Sequence, residues 1–354
     1  MKTTVPPSHM QVSQSSNPLP RRNWLALVAT TAAAWGVGSK AVQAEPPIVI
    51  KFSHVVKPDT AKGRAALRFK ALAESRTGGR VRVEVYPDNQ LYQDREELAA
   101  LKRGTVQMLA PSLSKLAELG GGDFEALDLP FLVKDSQSFR RAVDGPWGKR
   151  LLAKLEPSGI KGLEFWDNGF KVFTTNRRLN SPEAMRGLKM RVQASQVLKW
   201  QMEALGAKAL AMPLERVLQS LCSKDLDGQE NVPSNIYTQG LHECQSHMVV
   251  TNHGYLAYAV IVNRQFWDGL PATIRAQLET ALREATDFAN TTAKEENERA
   301  LQRISASGKI TVQTPTEAEL RRWQSAMAPT HAKAKGRVSA DTLAALRQAM
   351  GDPP

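Results

Sequence analysis

"PATIRAQLETALREATDFANTTAKEENERALQRISASG", Pro271 to Gly308, holds no glycine or proline between its ends. Ile274, Leu278, Leu282 and Ala285 recur at the spacing that lines up one face of an α-helix. Proline suits a first helical turn and glycine a terminus, so the run reads as one helix from boundary to boundary. At 1.5 Å per residue it would extend ~50 Å, more than one small domain is wide. The helix therefore bends or spans two units.

Upstream, strand and helix patterns alternate. "IVIKFSHV" (48–55) reads as a strand, 58–76 as a helix with Ala66, Phe69, Leu72 and Ala73 on one face, and "GGRVRVEVYP" (78–87) as a strand through Val81, Val83 and Val85. A helix over 94–103 and the apolar "VQMLAPS" (106–112) complete this unit. The order recurs, with "KGLEFWDNGF" (161–170) and "GLKMRVQAS" (187–195) as strands, "SQVLKWQMEALG" (195–206) and "LERVLQSLCS" (214–223) as helices, and "SHMVVTN" (246–252) as a strand. Such alternation argues an α/β fold with largely parallel sheets. The 354-residue length fits two such units, and further helix is expected beyond Thr314, ending in a loose "GDPP".

The net charge is +12, of which four cations and no acid fall in the first 44 residues; the rest carries 43 cations against 35 acids, or +8. Basic residues form no run and aromatics are only 6%, which argues against nucleic-acid binding. "RRNWLALVATTAAAWGVGSKAVQA" (21–44) has an arginine pair, an apolar run too short to span a bilayer and a small-residue end. It reads as a cleavable export signal over 1–44, by the twin-arginine or the general secretory route. No later segment approaches a membrane span in length, so a soluble protein outside the cytoplasm is expected.

Cys222 and Cys244 either pair, as an oxidising compartment allows, or serve as small apolar residues, and the expectation leans to free thiols. The spacing in "HECQSH" (242–247) matches no zinc pattern, and neither a metal nor a cofactor is expected. "LGGGDFE" (119–125) lacks the ending that cradles phosphates and reads as a surface loop. Asp123, Glu125 and Asp128 are read as solvated or capping residues, and no nucleophile elbow occurs. His54 and His253 sit beside apolar strands, where a histidine is commonly scaffold.

Within "GLKMRVQAS" alternation puts Leu188, Met190 and Val192 on one face and Lys189, Arg191 and Gln193 on the other. Alternation alone favours a solvated strand face for Arg191 over an anion site.

The stretch 51–116, "KFSHVVKPDTAKGRAALRFKALAESRTGGRVRVEVYPDNQLYQDREELAALKRGTVQMLAPSLSKL", resembles the opening of the DctP-type solute-binding proteins of tripartite ATP-independent periplasmic (TRAP) transporters. The similarity continues in order through "FEALDLPFL", "KGLEFWDNGFK", "MRGLKMRVQAS", "LDGQEN", "NIYTQ", "TNHGYLAYAVIVN" and "FWDGLP", about Ile48 to Met327. It implies a periplasmic-binding-protein-like fold: two α/β lobes, a hinge, and the long helix bridging both. Lobe I would take 45–168 plus 257–296, and lobe II 169–256 plus 297–350.

It also implies a monomeric periplasmic receptor, not an enzyme, that delivers a small organic acid to the small and large membrane subunits of the transporter. A four-carbon dicarboxylate such as succinate, malate or fumarate is expected. A sugar, keto or aromatic acid, or presentation to a sensor kinase, is the alternative. Arg191 would grip a ligand carboxylate two-pronged, a geometry lysine cannot reproduce. Asn231 would hydrogen-bond the same carboxylate, and Lys171 would hold the other end. Ser112, Ser114 and Lys115 would come from a first-lobe loop, with Asn235, Tyr237, His253 and Leu214 as further contacts. Val232 stands where relatives often carry proline, and Leu214 and Leu218 where they are more aromatic, so the pocket floor departs from the pattern.

Overall fold

β1 (Ile48–Ser53) and β2 (Val81–Tyr86) run parallel, in register from Ile48 opposite Val81 to Ser53 opposite Tyr86. The computed structural model describes residues 46–351; the proposed signal segment and residues 352–354 lie outside it. The helix that joins the two strands is Ala61–Arg76, three residues later than its sequence pattern suggests, because Thr60 caps it by accepting from Gly63 N at 3.0 Å. A Cβ on Gly63 would stand 2.6 Å from Pro58 O, so only glycine lets the entry loop fold back on the first turn.

The first sheet continues through β3 (Met108–Leu109), β4 (Ile160–Phe170) and β10 (Tyr255–Asn263), in the order β2-β1-β3-β10-β4. The second comprises β5 (Val172–Thr175), β6 (Lys189–Val192), β7 (Lys208–Ala211), β8 (Gly228–Asn231), β9 (His247–Val249) and β11 (Thr311–Gln313), in the order β11-β9-β5-β8-β6-β7. Both are largely parallel, as the alternation predicts, and each carries one reversed strand. β10 lies antiparallel between β3 and β4, and β5 antiparallel between β8 and β9. These two strands follow the passages between lobes, β4 to β5 through Lys171 alone and β9 to β10 through 250–254, and a strand entering from the other lobe arrives reversed. Lys171 N donates to Gly254 O at 2.9 Å, so the two passages are bonded side by side.

The long helix is Ala272–Ala306, 35 residues, and buries Ile274, Leu278, Leu282 and Ala285. It packs on the helix Ala61–Arg76 and β4 in the first lobe and on the helix Pro233–Thr238 in the second, so it bridges both. The chain then returns. Trp323 and Met327 enter the second lobe's core, whereas Leu346 and Met350 of the last helix, Ala340–Met350, enter the first lobe's.

Three sequence readings are corrected. "LGGGDFE" (119–125) is not a surface loop: it runs from the helical turn Ala117–Gly120 into a 3-10 turn, Gly122–Asp128, with Phe124 buried. Asp123, Glu125 and Asp128 are all buried rather than solvated: Asp123 accepts from Ser339 N and Thr342 Oγ1, and Glu125 pairs with Arg337 and accepts from Val197 N at 3.2 Å. Cys222 and Cys244 are joined in a disulfide, tying the helix Val217–Cys222 to the turn Leu241–Cys244. Among the described residues no helix is long and apolar enough to cross a membrane.

Candidate ligand-binding cleft

The first residues after β1, the first turn of the helix Ala61–Arg76 and the Ser112–Lys115 loop face the ends of β6 and β8 across a cavity of about 260 Å³. Arg191, on β6, is one of its walls. It is 3% exposed while Lys189, on the same strand face, is exposed, so the face that alternation defines turns from solvent to cleft along four residues. Its Nε donates to Met212 O at 2.9 Å, which orients the guanidinium. Burial lowers its pKa from the usual arginine value, with the negative charges of Glu230, Asp94 and Glu215 pulling the other way. An arginine stays charged regardless, and no carboxylate among the described residues forms a salt bridge with it.

Asn231 ends β8 beside it. Its Oδ1 accepts from Val232 N at 2.9 Å and from Asn235 Nδ2 at 3.1 Å, which leaves its Nδ2 as a donor on the wall. Asn235 Nδ2 also reaches Tyr258 Oη at 3.3 Å, and Asn168 Nδ2 donates to the same oxygen at 2.6 Å. The β4–β10 ladder slips register between Leu256 and Ala257, opposite Gly169 and Asp167, which leaves Asn168 as the extra residue of a bulge. Burial pushes the Tyr258 hydroxyl up to about 12.

Lys62 lies on the first-lobe wall, 3% exposed. Its Nζ donates to Ala110 O at 3.0 Å and sits 3.8 Å from the centre of the Tyr258 ring. No carboxylate forms a salt bridge with it among the described residues, and burial pulls its pKa down to about 8 despite Glu97 and Asp94. A cation in the first turn of a helix also opposes the helix dipole. The sequence reading missed it. The signal was available: Lys62 falls on the same stripe as Ala66, Phe69 and Ala73, the buried face of its helix.

The expected residues divide. Arg191, Asn231, Asn235, Ser112, Lys115 and Leu214 line the cavity. Lys115 is already paired, at 2.8 Å from Asp94 Oδ1 and 2.7 Å from Glu97 Oε1. Lys171, Ser114 and His253 are off the wall and meet one another in a buried cluster. There Lys171 Nζ is 3.0 Å from Glu230 Oε2 and 3.5 Å from Asp128 Oδ1, with Ser114 beside Asp128. His253 stacks on Phe173 at 3.9 Å, and Thr251 Oγ1 lies 2.7 Å from its Nδ1. Tyr237 stacks on His242, also off the wall.

A two-lobed α/β scaffold with a polar cavity between its lobes is the architecture of a solute-binding protein. The model of the bacterial extracellular solute-binding proteins of family 7, the DctP family, matches residues 52–336, and this chain belongs to that family. It is 51% identical, over 94% of its length and 100% of the relative's, to the C4-dicarboxylate-binding periplasmic protein DctP of Rhodobacter capsulatus. A TRAP periplasmic solute-binding protein from Shewanella oneidensis with bound succinate superposes with a TM-score of 0.84 at 40% identity, covering 86% of this chain and 100% of that one. Another, from Pseudomonas aeruginosa with bound L-malate, gives 0.79 at 38%, covering 81% and 100%.

Proposed function

We propose that this protein is a periplasmic receptor that captures a small dicarboxylate, of the size of succinate or malate, and delivers it to the membrane subunits of a TRAP transporter. One observation carries the reading. Two buried cations, Arg191 from the second lobe and Lys62 from the first, share one cavity, and neither has a salt-bridge partner among the described residues. Buried charges are ordinarily paired. A dianion laid between them neutralises both. One carboxylate goes to the Arg191 fork and Asn231 Nδ2, the other to Lys62 and Ser112, with Asn235, Tyr258 and Leu214 against the carbon chain.

The far end is assigned to Lys62 rather than Lys171, whose charge two carboxylates already neutralise. Because the grips come from opposite lobes, the ligand contacts both only when the cleft is closed, and so favours closure. The succinate and L-malate bound in the solved relatives support a four-carbon diacid, and the reading of 1–44 as a signal supports export. A catalytic role would need a general base at the ligand. His54 and His253, the candidate bases of such a reading, do not line the cavity, and Asp94 and Glu97, which do, are paired with Lys115. Calorimetric titration of succinate and of L-malate into the mature chain should give one-to-one binding; no heat with either acid refutes the reading.

A further inference from the structure

Lys171 is the one residue between β4 and β5 and is fully buried, so its charge sits in the passage between the lobes. It is shared by two acids of different origin. Asp128 lies between Leu127 and Leu129, both in the first lobe's core, whereas Glu230 belongs to β8 of the second sheet. Asp128 is further held from the second lobe, where Gln201 of the helix Gln196–Ala204 donates to its backbone carbonyl. The other passage closes the cluster. His253 Nε2 stands 3.8 Å from Glu230 Oε2, and Phe131 N, three residues after Asp128, donates to His253 O at 2.8 Å.

We propose that Asp128, Lys171 and Glu230 form a buried ionic latch across the hinge, which stabilises the closed cleft without touching the ligand. Rotation of one lobe against the other must stretch Lys171 to Asp128 or Asp128 to Gln201. In a low-dielectric interior each such separation weakens a strong attraction that water does not replace. Ligand affinity then includes the latch, because binding draws on the closed population. Only this affinity consequence rests on the ligand reading above.

Two measurements on the mature chain test the latch. In ligand-free protein, Asp128→Asn should speed amide hydrogen exchange at 171–173 and 250–254 by roughly tenfold or more relative to the centres of β1 and β10, because local opening is freed while the cores stay intact. Exchange that rises equally in hinge and cores, or in neither, overturns the proposal. With succinate as probe, Asp128→Asn and Lys171→Met should each weaken binding roughly tenfold through faster dissociation, and the double variant should be no weaker than the worse single one. Additive losses, or a loss for Lys171→Met alone, overturn the latch and return Lys171 to direct ligand contact. Wild-type protein that binds no succinate refutes the ligand reading and leaves the exchange result to decide the latch. Asp128→Asn is nearly isosteric and keeps the Lys171–Glu230 pair, so the test survives if Lys171→Met does not fold.

Discussion

Arg191 and Lys62 are both buried cations without a salt-bridge partner, yet their chemistry differs. Arg191 brings a planar fork pre-oriented by Met212 O, so Arg191→Lys keeps the charge and loses the bidentate geometry. Succinate affinity should fall by about 1.5 to 3 kcal/mol, ten- to hundredfold, in a calorimetric titration. Equal affinities would mean that the guanidinium does not grip the ligand. Lys62 instead can give up its proton. Its pKa in the ligand-free cleft is about 8, and it is faced by Glu97 and Asp94 from the neighbouring helix and loop, by Lys115 beyond them, and by neutral His54 and Tyr258. A carboxylate arriving beside it raises that pKa, so binding takes up a proton at and above pH 8. Affinity should be level below that pH and fall as pH rises through it, by up to about tenfold per unit. Titrations at pH 8 in phosphate and in Tris, which differ in ionisation heat, should report about half a proton taken up per ligand. Lys62→Arg should abolish the difference, and identical heats for wild type in the two buffers would contradict the assignment. The family resemblance, not alternation, singled out Arg191 and Asn231. Lys62 was passed over because a lysine in a first turn looks like a solvated end, although it shares the helical stripe of Ala66 and Phe69, whose packing turns it inward.

At the scale of elements, amphipathic pattern and the largely parallel sheets carried well, and the one reversed strand in each sheet did not. The 35-residue helix and the parallel β1–β2 pair were legible because each repeats an apolar spacing. β10, buried at every position, reads as a plain apolar run, and nothing in such a run states that it lies antiparallel to β3 and β4. β5 and β8 are four residues each, and their sequences, "VFTT" and "GQEN", show no usable period. The disulfide was equally illegible, because only folding brings the helix end at Cys222 to the turn at Cys244. It closes a loop of 22 residues, for which loop-closure entropy gives about 3 kcal/mol. The paired change Cys222→Ser and Cys244→Ser should lower unfolding stability by that order in urea titration while leaving succinate affinity within about twofold, since neither cysteine lines the cleft. A loss of affinity without a loss of stability would place the bridge in the binding machinery instead.

For the whole molecule, the lobes are joined by more than a hinge. Two strand passages bonded through Lys171 and Gly254, a helix that buries side chains against both lobes, and a C-terminal segment that leaves one core for the other all cross the same boundary. Separate unfolding of either lobe would strip apolar surface from the bridging helix and from Leu346 and Met350, so heating should give one calorimetric transition rather than two. A ligand that bridges the cleft acts on that single transition. At a succinate concentration of about one hundred times its dissociation constant, binding to the folded state alone adds about 2.7 kcal/mol. In a chain of this size that corresponds to a rise in Tm of roughly 5 °C. Arg191→Ala should unfold in one transition too, with no rise at the same succinate concentration, because the removed group is a wall of the cavity rather than a part of either core. Two resolved transitions in the wild-type scan, with succinate moving only one of them, would show that the lobes fold independently and that the ligand is held by one lobe alone.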